Sequence, residues 1–244
     1  MLRLGLPSKG RLQADAIAAF ARAGVVVRKT GLGREYAGEV EGLPGVEVAL
    51  LSAGETPRAL AEGALHVGVT GEDLIRERRA EARVATPLRL GFGHADLIVA
   101  VPAAWVDVET VHDLDEAAAE FRARHGRALR IATKYHNAAR RFFAEKGVRD
   151  YRLVDSQGAT EAAPRNLAAE AIVDITSSGA TLRDNHLKVL EDGLILRSQA
   201  ALCVSRAAAW TPAARRTLAE LGRRMGFDAK AVLAEAGTAA PGAG

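Results

Sequence analysis

Short apolar runs alternate along this chain with stretches whose apolar residues recur every three or four positions. Leu2–Leu6 predicts a strand. Ser8 predicts the cap of a helix with an apolar face of Leu12, Ala16, Phe20 and Ala23, ended by Gly24. Val25–Val27 predicts a second strand, and the Gly-rich polar stretch 30–45 a long loop or hairpin. Val46–Leu51 and Leu65–Thr70 predict strands, followed by helices over Glu55–Glu62 and Gly71–Glu77. Arg83–Leu90 and Ala95–Val101 are extended runs joined by Gly91-Phe92-Gly93-His94, a stretch suited to crossing between two lobes. The alternation then resumes, with strands at Leu129–Thr133, Tyr151–Val154 and Ala171–Ile175 and helices over Asp113–Arg124, Asn137–Lys146 and Thr160–Ala169. Leu187–Leu196 and Ala200–Ser205 predict two more strands. Thr211-Pro212 starts a helix with Thr as cap and Pro in the first turn; Gly226 ends it, and a short helix over Asp228–Ala236 follows. The Ala/Gly/Pro-rich segment Thr238–Gly244 reads as disordered.

This βαβα rhythm predicts an α/β fold with mostly parallel sheets covered on both faces. The expected lobes are residues 1–94 plus 183–205 for the first and 95–182 for the second, with C-terminal helices and tail over 206–244. The 244 residues are 48% hydrophobic, enough for a sizeable core. Aromatics are 5%, which suits close helix–sheet packing better than an aromatic-rich sandwich. The net charge of +3 is compatible with anionic ligands, and no basic run is interleaved with aromatics, which argues against nucleic acid. The single cysteine, Cys203, stands in an apolar run and reads as a core residue. No segment approaches the ~20 apolar residues that span a bilayer, and the N-terminus lacks the apolar stretch of a signal peptide, so the expectation is a cytoplasmic protein without membrane contact.

The chemistry concentrates where the strand Ala171–Ile175 runs out. Asp174 is followed by Thr176, Ser177, Ser178, Gly179, Ala180 and Thr181. Backbone N–H groups of such a turn at a helix start can converge on one anion, the hydroxyls add donors, and Gly179 permits close approach. Asp174 can accept hydrogen bonds from sugar hydroxyls at the carboxyl end of a strand. No Lys follows the glycine, so this is not a nucleoside-triphosphate P-loop. His66, His94, His112, His125, His136 and His186 show no metal-ligand spacing.

The segment Asp174–Leu182 resembles the phosphoribosyl-pyrophosphate loop of the ATP phosphoribosyltransferases. Leu6-Pro7-Ser8-Lys9-Gly10-Arg11-Leu12, Gly68-Val69-Thr70-Gly71-Glu72-Asp73-Leu74, Ile131-Ala132-Thr133-Lys134-Tyr135 and Phe142-Phe143-Ala144-Glu145-Lys146-Gly147 agree with that family in order and spacing. The resemblance covers about residues 1–205. It implies two lobes like a periplasmic binding protein with the site in a cleft between them. It implies attack of N1 of ATP on phosphoribosyl pyrophosphate, giving phosphoribosyl-ATP and pyrophosphate, the first step of histidine biosynthesis. Asp174, Thr176, Ser177, Ser178, Gly179, Ala180 and Thr181 would bind phosphoribosyl pyrophosphate. Lys9, Gly10, Arg11, Gly71, Glu72, Asp73, Lys134 and Tyr135 would bind ATP. Lys9 and Arg34 would assist catalysis, Arg34 by stabilising the departing pyrophosphate. Mg²⁺ would ride on the substrate phosphates, with no metal ligand from protein side chains.

Many members carry an Arg where this chain has Ser52, which passes that charge's role to Arg34 or Arg58. Only 34 residues run from Thr211 to Gly244, too few for a regulatory α/β domain. The resemblance is thus to the short form, implying a homo-oligomer within a hetero-oligomer that includes a regulatory subunit similar to histidyl-tRNA synthetase. The competing expectation is a non-enzymatic small-anion binding module of the same two-lobed fold.

Overall fold

The structure is a computed structural model that describes residues 1–30, 37–156 and 158–234. Two compact units emerge, 1–93 with 199–244, and 94–198. Arg34 and the tail 238–244 lie outside the described residues.

The first unit contains β1 (Leu2–Pro7), α1 (Gly10–Arg22), β2 (Val26–Thr30), β3 (Ala37–Glu41), β4 (Val46–Leu51), α2 (Glu55–Ala61), β5 (Val67–Gly71), α3 (Glu72–Glu77) and β6 (Val84–Arg89). The second contains β7 (Ala95–Pro102), α4 (Val111–His125), β8 (Leu129–Thr133), α5 (His136–Lys146), β9 (Tyr151–Asp155), β10 (Ala171–Thr176), α6 (Ala180–Asp184) and β11 (Leu187–Ser198). The chain then returns to the first unit for β12 (Ala200–Ser205), α7 (Pro212–Met225) and α8 (Ala229–Ala234). The first sheet runs β2-β3-β4-β1-β5-β12-β6, with β1 parallel to both β4 and β5 and antiparallel pairings outside that trio. The second runs β11-β7-β10-β8-β9, with β10, β8 and β9 parallel and β7 and β11 antiparallel. The α/β class thus holds, each sheet having a parallel group flanked by antiparallel strands.

β1 and β12 are apolar almost throughout because helices cover both faces. On one face Leu4, Phe20, Val69 and Leu202 pack with Leu218 of α7 and Val232 of α8. On the other, Leu60, Ile75 and Ala201 enclose Cys203. Burial pushes the Cys203 thiol up to about 12, so it is an inert core residue. The C-terminal helices, expected as a separate segment over 206–244, are therefore part of the first core. Residues 183–198, expected in the first lobe, belong to the second unit, because β11 pairs with β7 from Leu187↔Pro102 to Ser198↔Ala95.

Three local expectations change. Lys9, extended at φ −160, precedes α1 in place of Ser8, because Gly10 takes φ 77 and turns the chain into the helix. The predicted helix over Thr160–Ala169 shrinks to a 3₁₀ turn, Thr160–Ala162. Pro164 cannot donate the N–H a continuing helix needs. Helix α4 starts earlier, at Val111, because Thr110 and Asp113 form a capping box: the Thr110 hydroxyl accepts from Asp113 N–H at 3.2 Å and Asp113 accepts from Thr110 N–H at 2.7 Å.

Two charged or titratable side chains hold elements together and yield predictions. Glu170, before β10, accepts from Arg130 N–H at 2.7 Å and pairs with the guanidinium groups of Arg130 (2.7 Å) and Arg127 (3.1 Å). Burial opposes its ionisation, but these partners prevail and hold its carboxyl at about 2. This stabilisation is present above the ordinary carboxylate value and lost as pH falls toward 2. Glu170→Gln is expected to cost about 2 kcal/mol in urea unfolding at pH 7, and less as the pH approaches 2.

His66 accepts from Arg3 N–H on Nδ1 at 3.1 Å and donates from Nε2 to Ala209 O at 3.2 Å, with Trp210 edge-on at 4.9 Å. Burial pushes its pKa below the ordinary value. A folded-state pKa below the unfolded one means stability is lost as pH falls from the ordinary histidine range through the folded value. Urea unfolding at pH 7.5 and 5.5 is expected to show a larger loss in the wild type than in His66→Gln.

Candidate functional site

In the second unit the register Val173↔Thr133 and Thr133↔Asp155 aligns the carboxyl ends of β10, β8 and β9. Ligands of open α/β sheets sit at such an edge. Asp174, Thr176, Lys134, Ser156 and the 3₁₀ turn gather there. The Asp174 carboxylate accepts from Ile175 N–H at 2.9 Å. Burial raises its pKa, partly opposed by the Ile175 N–H, the Thr160 hydroxyl and the Lys134 charge. Thr160 is 1% exposed, and its hydroxyl meets that of Ser156 at 2.6 Å. Lys134 Nζ donates to Gly158 O at 2.8 Å.

The turn after β10 is folded by its own hydroxyls. Thr176 Oγ1 accepts from Gly179 N–H at 2.9 Å, and Ser178 Oγ from Ala180 N–H at 3.4 Å. Gly179 has φ 70, a conformation other residues adopt only with strain. The N–H groups of Ser177 and Ser178 have no hydrogen-bond partner among the described residues, and both side chains are exposed, as is Thr181's. Helix α6 has five residues, so its dipole adds little; the exposed N–H and hydroxyl groups are what the turn offers an anion.

Two residues that sequence reasoning missed stand beside this turn. Arg183 Nη1 donates to Ser178 O at 3.1 Å, placing a guanidinium at the turn; its spacing of four from Gly179 was a readable helical signal. Asp96 of β7 is the register partner of Thr176, so it and Asp174 share one face of the sheet. A cross-strand neighbour so distant in sequence left no local signal.

In the first unit the parallel trio β4-β1-β5 presents its carboxyl ends together, and Ser8 N–H donates to Leu51 O at 2.8 Å. A cavity of about 570 Å³ opens there, lined by Ser8, Lys9, Ser52 and Glu55 over a floor of Ala49, Leu50 and Leu51. Lys9 is exposed beside it. Arg11 is not brought in: its side chain is 95% exposed and pairs with Asp15 at 3.6 Å. Gly71 ends β5 and precedes α3. Glu72 already accepts from Arg89 Nε at 2.9 Å, and Asp73 is buried. Arg58 is exposed, with Glu62 at 3.9 Å. Lys134 and Tyr135 belong to the second unit, where Lys134 adjoins the Asp174 edge. Tyr135 is 6% exposed, so its ring belongs to the core and offers little surface for stacking. Among the described residues no group of three or more His, Cys, Asp or Glu could hold a metal ion.

Fold and site define an α/β protein of two units whose second sheet carries a hydroxyl-rich turn, with two unpartnered N–H groups among the described residues, beside a half-buried carboxylate. The family profile described as HisG: ATP phosphoribosyltransferase matches residues 52–226. The ATP phosphoribosyltransferase of Cereibacter sphaeroides is 58% identical over 93% of this chain and 96% of that protein. That of Afipia carboxidovorans is 56% identical over 88% of this chain, but the match spans 66% of that longer protein. The chain belongs to the ATP phosphoribosyltransferase family. Among solved structures, the ATP phosphoribosyl transferase (HisG:HisZ) complex from Thermotoga maritima matches with a TM-score of 0.71 at 23% identity, covering 96% of this chain and 98% of that one. The periplasmic VFT2 domain of BvgS from Bordetella pertussis matches with a TM-score of 0.51 at 10% identity, covering 97% and 92%. Both are likenesses of fold.

Proposed function

We propose that this chain transfers the phosphoribosyl group of phosphoribosyl pyrophosphate to N1 of ATP, giving phosphoribosyl-ATP and pyrophosphate in the first step of histidine biosynthesis. Family membership supports the reaction. The single structural observation that carries it is the Thr176–Thr181 turn, with two unpartnered N–H groups and three exposed hydroxyls beside Asp174.

The roles follow from charge and position. The N–H groups of Ser177 and Ser178, with the hydroxyls of Ser177, Ser178 and Thr181, hold the 5′-phosphate. Asp174 accepts hydrogen bonds from the ribose hydroxyls, and its negative charge opposes the positive charge that builds on the sugar as the C1–O bond breaks. Lys134 and Arg183 add cationic charge at the same edge. Lys9, at the cavity of the first unit, binds phosphate oxygens of ATP. No nucleophilic side chain is required, because pyrophosphate leaves as a stabilised anion and the adenine ring attacks directly; catalysis is positioning and electrostatics. Magnesium, if carried in on the diphosphate, would supply charge neutralisation to the leaving group. That arrangement asks no ligand of the protein side chains; Asp174 and Asp96 share one face of the sheet, where their charge would complement an ion held by phosphates.

The solved complex from Thermotoga maritima pairs two proteins, which supports the expectation that this chain works with a regulatory subunit similar to histidyl-tRNA synthetase. A nucleotide substrate supports the expectation of a cytoplasmic enzyme; no helix of the described residues is long and apolar enough to cross a membrane. The test is product formation from ATP and phosphoribosyl pyrophosphate with the regulatory subunit present. Phosphoribosyl-ATP is the expected product. Binding of both compounds without turnover would overturn the enzymatic reading in favour of an anion-binding module.

A further inference from the structure

The first-unit cavity has two charged walls of opposite sign. Among the described residues that line it, Lys9 is the cation and Glu55 the anion. A site built only for polyphosphate would exclude a carboxylate, which repels phosphate across so small a space. Glu55 is held in place: Ser52 N–H donates to its Oε2 at 2.8 Å. The Ser52 hydroxyl and N–H keep its pKa below the ordinary range, so it stays ionised at neutral pH. The contact closes the turn that leads into α2, whose first residue is Glu55 and whose N-cap is Gly54. It does not use the whole group. An ionised carboxylate has about four acceptor positions, and this side chain is exposed at the wall of the cavity.

We infer that Glu55 is a specificity-determining residue that accepts hydrogen bonds from the ribose hydroxyls of ATP, with the triphosphate directed toward Lys9. The volume, about 570 Å³, is ample for a nucleoside. A carboxylate just past the carboxyl end of a parallel strand is a chemically suited partner for a sugar diol. The opposed charges orient the nucleotide, because reversing it would set phosphate against carboxylate. The inference rests on the reading that ATP docks on the first unit.

Calorimetry on the full chain with three probes, ATP, 2′,3′-dideoxy-ATP and tripolyphosphate, tests it. The variant is Glu55→Gln, whose amide oxygen can still accept from Ser52 N–H and keep the helix start. The wild type is expected to bind dideoxy-ATP roughly tenfold or more weakly than ATP. Glu55→Gln is expected to weaken ATP about tenfold, to bind ATP and dideoxy-ATP alike, and to bind tripolyphosphate more tightly than the wild type does. Glu55→Asp, which keeps the charge, should leave tripolyphosphate binding unchanged. In turnover the variant raises KM for ATP and leaves KM for phosphoribosyl pyrophosphate in place. Equal ATP affinity in wild type and Glu55→Gln, or parallel weakening of ATP and tripolyphosphate, overturns the inference while leaving the proposed reaction intact. A wild type that binds none of the three probes overturns the ATP assignment as well.

Discussion

Gly179→Val is expected to lower kcat/KM for phosphoribosyl pyrophosphate by about a hundredfold while the protein stays folded. Gly179 sits at φ 70, and a Cβ there would stand 3.0 Å from Arg183 Nη1. A β-branched residue in that conformation costs on the order of 1–3 kcal/mol. The turn has an easier way out than bearing this strain: it can open, breaking the Gly179 N–H bond to Thr176 Oγ1 and moving the Ser177 and Ser178 N–H groups out of place for the phosphate. Losing one or two hydrogen bonds to a charged phosphate, at about 1.5–3 kcal/mol each, gives the hundredfold. Global stability should change little, because α6 is short and Leu182 alone of its residues is buried. Steady-state kinetics with a thermal melt on the same sample checks both halves. A variant that melts like the wild type and turns over like it contradicts the anion role of the turn.

Asp174→Asn is the second large effect, with an expected fall in kcat/KM of about a hundred- to thousandfold. The amide can still receive one hydrogen bond, but it carries no charge to offset the positive sugar and presents N–H donors to ribose hydroxyls. The pH profile separates charge from shape. Burial raises the Asp174 pKa above its ordinary value. The wild type should therefore lose activity on the acid side at a pH above the usual carboxylate range, as the carboxyl takes up its proton. The Asn variant should lack that limb. An acid limb unchanged in Asp174→Asn assigns the titration to another group.

Much of this arrangement is readable because its signals are local. Strand β12 is a nearly continuous apolar run, β1, β4, β8 and β10 are apolar runs each broken by one charged residue (Arg3, Glu47, Arg130 and Asp174), and α7 announces both ends, with Thr211 accepting from Ala214 N–H at 3.2 Å and Gly226 closing it at φ 86. Asp174 and the hydroxyl-rich turn are contiguous in sequence, so their conjunction was visible. The misses are of another kind. Pro164 was an overlooked local veto on a helix. Strand β11 was recognised, but its pairing with β7 is decided by distant residues, and with it the membership of 183–198. Asp96 reaches Thr176 only through cross-strand register. Tyr135 follows a strand end, as a ligand-stacking residue would, and only packing reveals that it is buried. Glu55 was legible only as the start of a helix; its place on a cavity wall with Lys9 needed the fold.

The most direct test is hydrogen–deuterium exchange across the peptide 174–182 with and without phosphoribosyl pyrophosphate. The unpartnered Ser177 and Ser178 N–H groups should exchange quickly in the free protein and slow markedly when the ligand is added. Catalytic turnover with no protection in this peptide would contradict the claim that it cradles the sugar phosphate.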